Sequence, residues 1–183
     1  MYRNVIKLGG ELQMKIGTTY WITGLSGAGK PTIGRLLYET INEKKSNIVF
    51  LDGDILRQVY NTTDYSSEGR LRLAMQHSRL CKMLNEQGID VVICVIAMYD
   101  ECREWNRDNI ENYVEVYLDV DIEELIHRDQ KQLYSRALKN EIDNVMGINM
   151  DFDEPKNPNL RIDNSGRYTP KEVVDMILKY IDG

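Results

Sequence analysis

The chain has 183 residues, with 23 Lys+Arg against 29 Asp+Glu and a formal net charge of −6. That length fits one domain with a sizeable core, and the acidic balance argues against coating nucleic acid or an anionic membrane by bulk charge. Hydrophobic residues at 42% and charged residues at 28% are too apolar a mix for a disordered chain.

Met1–Gln13 lacks the continuous apolar core of a secretory signal and reads as an extension outside the core. Met14 is either an alternative start or an ordinary methionine. Thr18–Thr23 (TTYWIT) predicts a strand and Gly24–Gly29 a glycine-rich turn, with a helix following to about Lys44. Asn47–Leu51 predicts a second strand, ended by the turn-like Asp52-Gly53-Asp54. Gly69–Gln87 predicts a long helix stopped by Gly88. Val91–Ile96 is apolar throughout, the pattern of a strand covered on both faces, and Cys94 inside it is expected as a core thiol. The longest apolar run, Val91–Met98, is far shorter than the about twenty residues of a membrane span.

Glu101–Ile110 predicts a helix carrying Trp105 as a packing residue, and Val114–Asp119 another strand. Asp121 is expected to cap the helix Ile122–His127, with Glu124 completing a capping box. Leu160–Asp163 is a short fifth strand, and Thr169-Pro170 opens the last helix. Met75, Met83 and Met98 are expected to fill gaps rather than bind metal. Cys81, Cys94 and Cys102 match no zinc or disulfide pattern, and His77 and His127 lie too far apart for a histidine-based metal site. A reducing cytoplasm is the simplest setting. Alternating strands and helices imply a parallel sheet with helices on both faces.

Gly24-x-x-x-x-Gly29-Lys30, between a strand and a helix, has the spacing of a phosphate-binding loop. Glycines let backbone N–H groups converge on phosphate oxygens, lysine adds a point charge, and the helix start adds its partial positive charge. Gly24, Leu25, Ser26, Gly27, Ala28, Gly29, Lys30 and Thr32 are the ATP-binding candidates. The residue after the lysine is Pro31, where a magnesium-ligating hydroxyl is usual. Proline removes that hydroxyl and one N–H, and biases Lys30 away from helical backbone. Three readings stay open: a natural variant holding magnesium through water, an introduced substitution, or a degenerate site. A second cluster, Asp52-Gly53-Asp54-x-x-Arg57, lies at the carboxyl end of strand two, where open α/β sheets bind ligands. Its carboxylates suit hydrated magnesium or proton abstraction, and Arg57 suits an anionic acceptor.

GLSGAGK, LDGDILR with Asn61 after it, RDQKQLY (128–134) and GINMDFDEP (147–155) together resemble the adenylylsulfate kinases, over about Thr19 to Ile181. The resemblance implies Asp52 as catalytic base or as the carboxylate that organises Mg2+, if need be through water. It implies Asp54, Arg57, Asn61, Arg70 and Ile96 in the acceptor site, and Tyr65 and Phe152 as aromatics flanking the acceptor base. It puts Arg128 and Lys131 on a lid of about 128–152, toward ATP and acceptor; Arg136 there is equally well a solvated face.

The departures lie on the acceptor side. Gly69 stands where the family has the aspartate of an Asp-Arg pair. Leu73 and Met75 replace an asparagine and an arginine, and Ala97, Met98 and Asp100 replace serine, proline and arginine. A sulfate-bearing acceptor has lost two cationic partners, each contact being worth about 1.5–3 kcal/mol.

The expectation is therefore a three-layer α/β P-loop kinase of about five parallel strands over 14–183, after a 1–13 extension. It would move the ATP γ-phosphate to a hydroxyl of adenylylsulfate or a related nucleotide. The alternative is a sibling kinase of capsule-sugar pathways acting on cytidine diphosphoramidate. From another class, Pro31 suggests a catalytically impaired nucleotide sensor. Expected partners are ATP, Mg2+ and a small nucleotide, without nucleic acid or membrane, and a homodimer is left open by the resemblance.

Overall fold

The computed structural model describes the backbone of residues 5–8 and 11–183, and side chains from residue 15 on except Gln130. Of the expected extension, residues 1–4, 9 and 10 lie outside the described residues. The rest of it holds an unexpected feature: β1 (Val5–Leu8) and β2 (Glu11–Met14) pair antiparallel in a two-stranded sheet of their own.

Five strands form the parallel sheet: β3 (Thr19–Thr23), β4 (Ile48–Asp52), β5 (Asp90–Val95), β6 (Tyr113–Asp119) and β7 (Leu160–Asp163), in the order β4-β5-β3-β6-β7. Strands β3 and β5 are buried at every residue, as the apolar run Val91–Ile96 predicts for β5, whereas β3 also buries the polar Thr19 and Thr23. The helices are α1 (Lys30–Asn42), α2 (Gly53–Val59), α3 (Ser67–Asn85), α4 (Asp100–Asn109), α5 (Ile122–Arg128), α6 (Leu133–Leu138) and α7 (Pro170–Asp182). Helices α1 and α7 pack together on one face of the sheet, and α3 and α4 on the other. The chain leaves central β3 for β4 on one side and later returns to β6 on the other. The strand order thus reverses at the carboxyl end of β3, the crevice where such sheets bind ligands.

Several local expectations are corrected. Asp52-Gly53-Asp54 is not a simple turn but the start of α2, because the Asp52 side chain accepts from the N–H groups of Asp54 and Ile55. Asp121 stands before α5 without capping it, and no capping box forms; Glu124 is drawn instead to Arg128, with Nε to Oε1 2.8 Å. Met83 is half exposed and fills no gap, whereas Met98 is buried and Met75 is partly buried against the core. Helix α1 begins at Lys30, so the bias of Pro31 against helical backbone is overridden. Trp105 is partly buried against the core, and Cys81, Cys94 and Cys102 are free and buried. At the last helix, Thr169 and Glu172 form a complete capping box across Pro170. Among the described residues, no helix is long and apolar enough to cross a membrane.

Candidate active site

The loop between β3 and α1 turns tightly back on the sheet. Gly29 precedes α1 with φ 86, a left-handed backbone, and a Cβ there would press on the Asn164 amide. No side chain caps α1, so its first N–H groups point into the loop. Those amides and the helix dipole favour an anion at this end. Lys30 folds back, with Nζ donating to the Leu25 carbonyl at 2.7 Å. It is buried, and burial pushes its ammonium down to about 8, with Cys94, Asp54 and Asp52 pulling the other way. Beneath it, the Cys94 thiol donates to the Lys30 carbonyl at 3.1 Å. Pro31 and Thr32 are exposed on the first turn.

Asp52 ends β4 beside β5. Its Oδ1 accepts from Asp54 N at 2.8 Å and Ile55 N at 3.4 Å. Among the described residues Oδ2 has no hydrogen-bond partner, so one carboxylate oxygen fixes the helix and the other is available. Asp54 is exposed and pairs with Lys131 at 3.2 Å. Among the described residues no three His, Cys, Asp or Glu side chains gather into a metal cage. Two adjacent carboxylates with one uncommitted oxygen instead suit Mg2+, which keeps most of its water.

A second group gathers on the connection from α2 to α3. The Arg57 guanidinium lies over the Tyr65 ring at 4.2 Å, and that of Arg70 at 5.3 Å. Arg57 Nη1 donates to the Asp64 carbonyl at 2.9 Å; Arg70 donates to the carbonyls of Tyr65 at 3.0 Å and Asn144 at 2.9 Å. Asn61 closes α2 with φ 49, a backbone that asparagine tolerates. Ile96 is partly buried in the segment after β5. Among the described residues the Phe152 and Tyr65 rings do not stack on each other. Phe152 lines a cavity of about 480 Å³ with Asp100, Asp153, Glu154, Lys156 and Arg161. The Asp100 carboxylate is held there by Arg103 and by Lys156 at 3.3 Å.

The 128–138 segment bridges both groups. Arg128 donates to the carbonyls of Gly27 at 3.3 Å and Asn164 at 3.0 Å. Lys131 reaches Asp54, while Arg136 is exposed and pairs with Glu141 at 3.4 Å. Asp129, Lys131 and Gln132 all have positive φ, and the Asp129 carboxylate accepts from Tyr134 N and Ser135 N.

Two residues at this site were not singled out by sequence. Tyr134 is buried and donates its hydroxyl to the Ser26 carbonyl at 2.7 Å. Asn164, after β7, donates to the Ala28 carbonyl at 2.8 Å. Asn164 follows the carboxyl end of a strand, a signal that position alone could have given. Nothing in the pattern around Tyr134 announces its partner.

Residues 16–163 match the profile of a family described as adenylylsulphate kinase. A cytidine diphosphoramidate kinase of Campylobacter jejuni is 44% identical over 159 residues, 87% of this chain and 93% of that protein. A probable adenylyl-sulfate kinase of Pyrococcus abyssi is 34% identical, covering 89% and 94%. Among solved structures, an adenylylsulfate kinase of Mycobacterium tuberculosis in complex with AMPPNP and APS superposes with a TM-score of 0.85. It is 29% identical, with 92% and 99% of the two chains covered.

Proposed function

Because the chain belongs to the adenylylsulphate kinase family, we propose that it transfers the γ-phosphate of ATP to a hydroxyl of cytidine diphosphoramidate rather than of adenylylsulfate. The observation that carries this choice is Asp100. It stands where the family pattern has an arginine, and its carboxylate is engaged by Arg103 and Lys156 beside the Phe152 cavity. A sulfate offers only acceptor oxygens and needs cations or N–H donors. A phosphoramidate also offers an N–H donor, which a wall of mixed charge accommodates, with Asp100, Asp153 and Glu154 as acceptors beside Lys156 and Arg161. The 44% identity to the Campylobacter jejuni enzyme supports the same reading.

In this reading Lys30 and the loop amides hold the β- and γ-phosphates. Asp52, with Asp54 beside it, would hold Mg2+ through water, and the ion would supply charge neutralisation at those phosphates. The uncommitted Oδ2 of Asp52 accepts the proton of the attacking hydroxyl. Arg57 and Arg70 neutralise the acceptor's anionic bridge, and Tyr65 and Phe152 flank its base. The 128–152 segment is the lid that excludes water, with Arg128 toward ATP and Lys131 leaving Asp54 for the phosphates. Residues 14–183 form the catalytic domain and 1–13 an extension. The work belongs in the cytoplasm, where ATP is supplied, and a homodimer is the assembly that the family resemblance leaves open.

The test is product identification by mass spectrometry after incubation with ATP, Mg2+ and each acceptor separately. Phosphorylated cytidine diphosphoramidate is the expected product. Adenylylsulfate as sole substrate, which the likeness to the Mycobacterium tuberculosis enzyme favours, would overturn the acceptor assignment. Tight ATP binding with no product from any acceptor would make the protein a nucleotide sensor.

A further inference from the structure

Helix α3 has Glu68 in its first turn but no acid at the position that would complete a capping box. Ser66 caps it, with Oγ accepting from Gly69 N at 3.1 Å. In a capping box, the side chain three residues after the cap reaches back to the cap's own N–H. That third residue is Gly69, which has no side chain to send back. The missing carboxylate arrives from the other direction. Asp64 Oδ1 accepts from Ser66 N at 3.0 Å and from Ser66 Oγ at 2.6 Å. Its Oδ2 accepts from Arg72 Nη2 at 2.8 Å, one turn further along α3. These contacts, the Ser66 hydrogen bonds foremost, hold the Asp64 carboxyl below its ordinary range. A Cβ built on Gly69 would fall inside the Asp64 carboxylate. A side chain at position 69 would therefore displace the Asp64 carboxylate from its present place.

We infer that Asp64 is a positioning residue for the acceptor: it supplies from the loop the carboxylate that Gly69 lacks, and so fixes Tyr65 against Arg57 and Arg70. The inference rests on reading those three residues as the acceptor wall. The connection is short. Tyr65 lies between Asp64 and Ser66, the two residues that the carboxylate ties together. The two carbonyls within that tie, those of Asp64 and Tyr65, receive Arg57 and Arg70. Without the tie, Tyr65 keeps its guanidinium neighbours but loses the backbone anchor that sets its ring. An acid at position 69 would brace the helix from within and leave the 61–65 loop free. The loop-borne acid braces helix and loop together.

The experiment compares wild type, Asp64→Ala, Gly69→Asp and the double variant Asp64→Ala/Gly69→Asp by two readouts. The first is amide hydrogen exchange of the free protein, which needs no substrate. Exchange at the Ser66 and Gly69 amides should rise about tenfold in Asp64→Ala and return toward wild type in the double variant. Gly69→Asp alone should also lose protection, because the two acids collide. The second readout is steady-state kinetics with the acceptor that the product screen identifies. Asp64→Ala should raise the acceptor KM about tenfold, with kcat and the KM for ATP within about twofold of wild type. The double variant should keep the raised acceptor KM, since an acid at 69 repairs the helix but not the tie to the loop. Unchanged exchange in Asp64→Ala, or an acceptor KM that stays at the wild-type value, overturns the inference. The predicted exchange pattern in a protein that phosphorylates no acceptor would uphold the carboxylate exchange and sink the kinase reading instead.

Discussion

Lys30 holds its charge at a cost, buried against the Leu25 carbonyl with its ammonium pushed down to about 8. Between pH 8 and its ordinary value of 10.5, the unfolded chain binds the proton that the folded chain has lost, so this group makes folding more favourable as pH rises through that window. Phosphate binding acts in the opposite sense, because an anion restores the charged form. The dissociation constant for AMPPNP should therefore rise about tenfold from pH 7 to pH 9. Lys30→Arg, which stays charged, should give a flat profile over that range. Isothermal titration calorimetry at several pH values measures both.

Asp52 divides its two oxygens between a helix cap and the reaction. Asp52→Asn keeps an oxygen that can cap α2 but gives up the base. It should reduce kcat by roughly 10²-fold while leaving AMPPNP affinity within about threefold of wild type. Unchanged kcat would move the base to Asp54 or to water. Pro31 leaves α1 without a hydroxyl and an N–H at the point where phosphate approaches. Pro31→Thr should raise kcat/KM for ATP about tenfold and sharpen its dependence on magnesium concentration. No gain in kinetics across a magnesium series would mean that the loop has adapted to proline.

At the scale of elements, the five parallel strands were legible as short stretches rich in β-branched, aromatic and other apolar residues bounded by turns, the longest apolar run lying in β5. Boundaries shifted by a residue or two, as hydrogen bonding at element ends dictates. Helix α2 was not legible. Asp52-Gly53-Asp54 has the composition of a turn, and only the capping bonds from Asp52 show that a helix begins there. Asp121 and Glu124 had the spacing of a capping box, but Arg128 on the same helix outcompeted the backbone for Glu124. Candidates given by motif, such as Lys30, Asp52 and Arg57, lie where the fold gathers charge. Tyr134 and Asn164 grip loop carbonyls 108 and 136 residues away in sequence, and no local pattern encodes such contacts. Tyr134→Phe tests their weight. Losing the hydroxyl strands the Ser26 carbonyl and should cost about 1 kcal/mol of stability. Thermal melts should register that loss, with KM for ATP rising several-fold and KM for the acceptor unchanged.

Over the whole molecule, the two halves of the site have different characters. The donor half keeps the strand, glycine loop, lysine and helix of a phosphate-binding site, held from behind by Arg128, Tyr134 and Asn164. The acceptor half has Met75 and Asp100 at the two positions where its family pattern carries arginines, and a loop-borne Asp64 in place of a helical acid. A kinase with this division keeps its phosphoryl donor and changes what it phosphorylates. The most direct measurement is a competition in one vessel. The protein, ATP and Mg2+ are mixed with equal, sub-saturating amounts of adenylylsulfate and cytidine diphosphoramidate, and initial product ratios are read by mass spectrometry. That ratio reports the ratio of kcat/KM values. At least about tenfold more phosphorylated cytidine diphosphoramidate is expected, the effect of losing one charge-assisted contact to sulfate. A ratio at or below unity, with adenylylsulfate consumed as fast or faster, would contradict it.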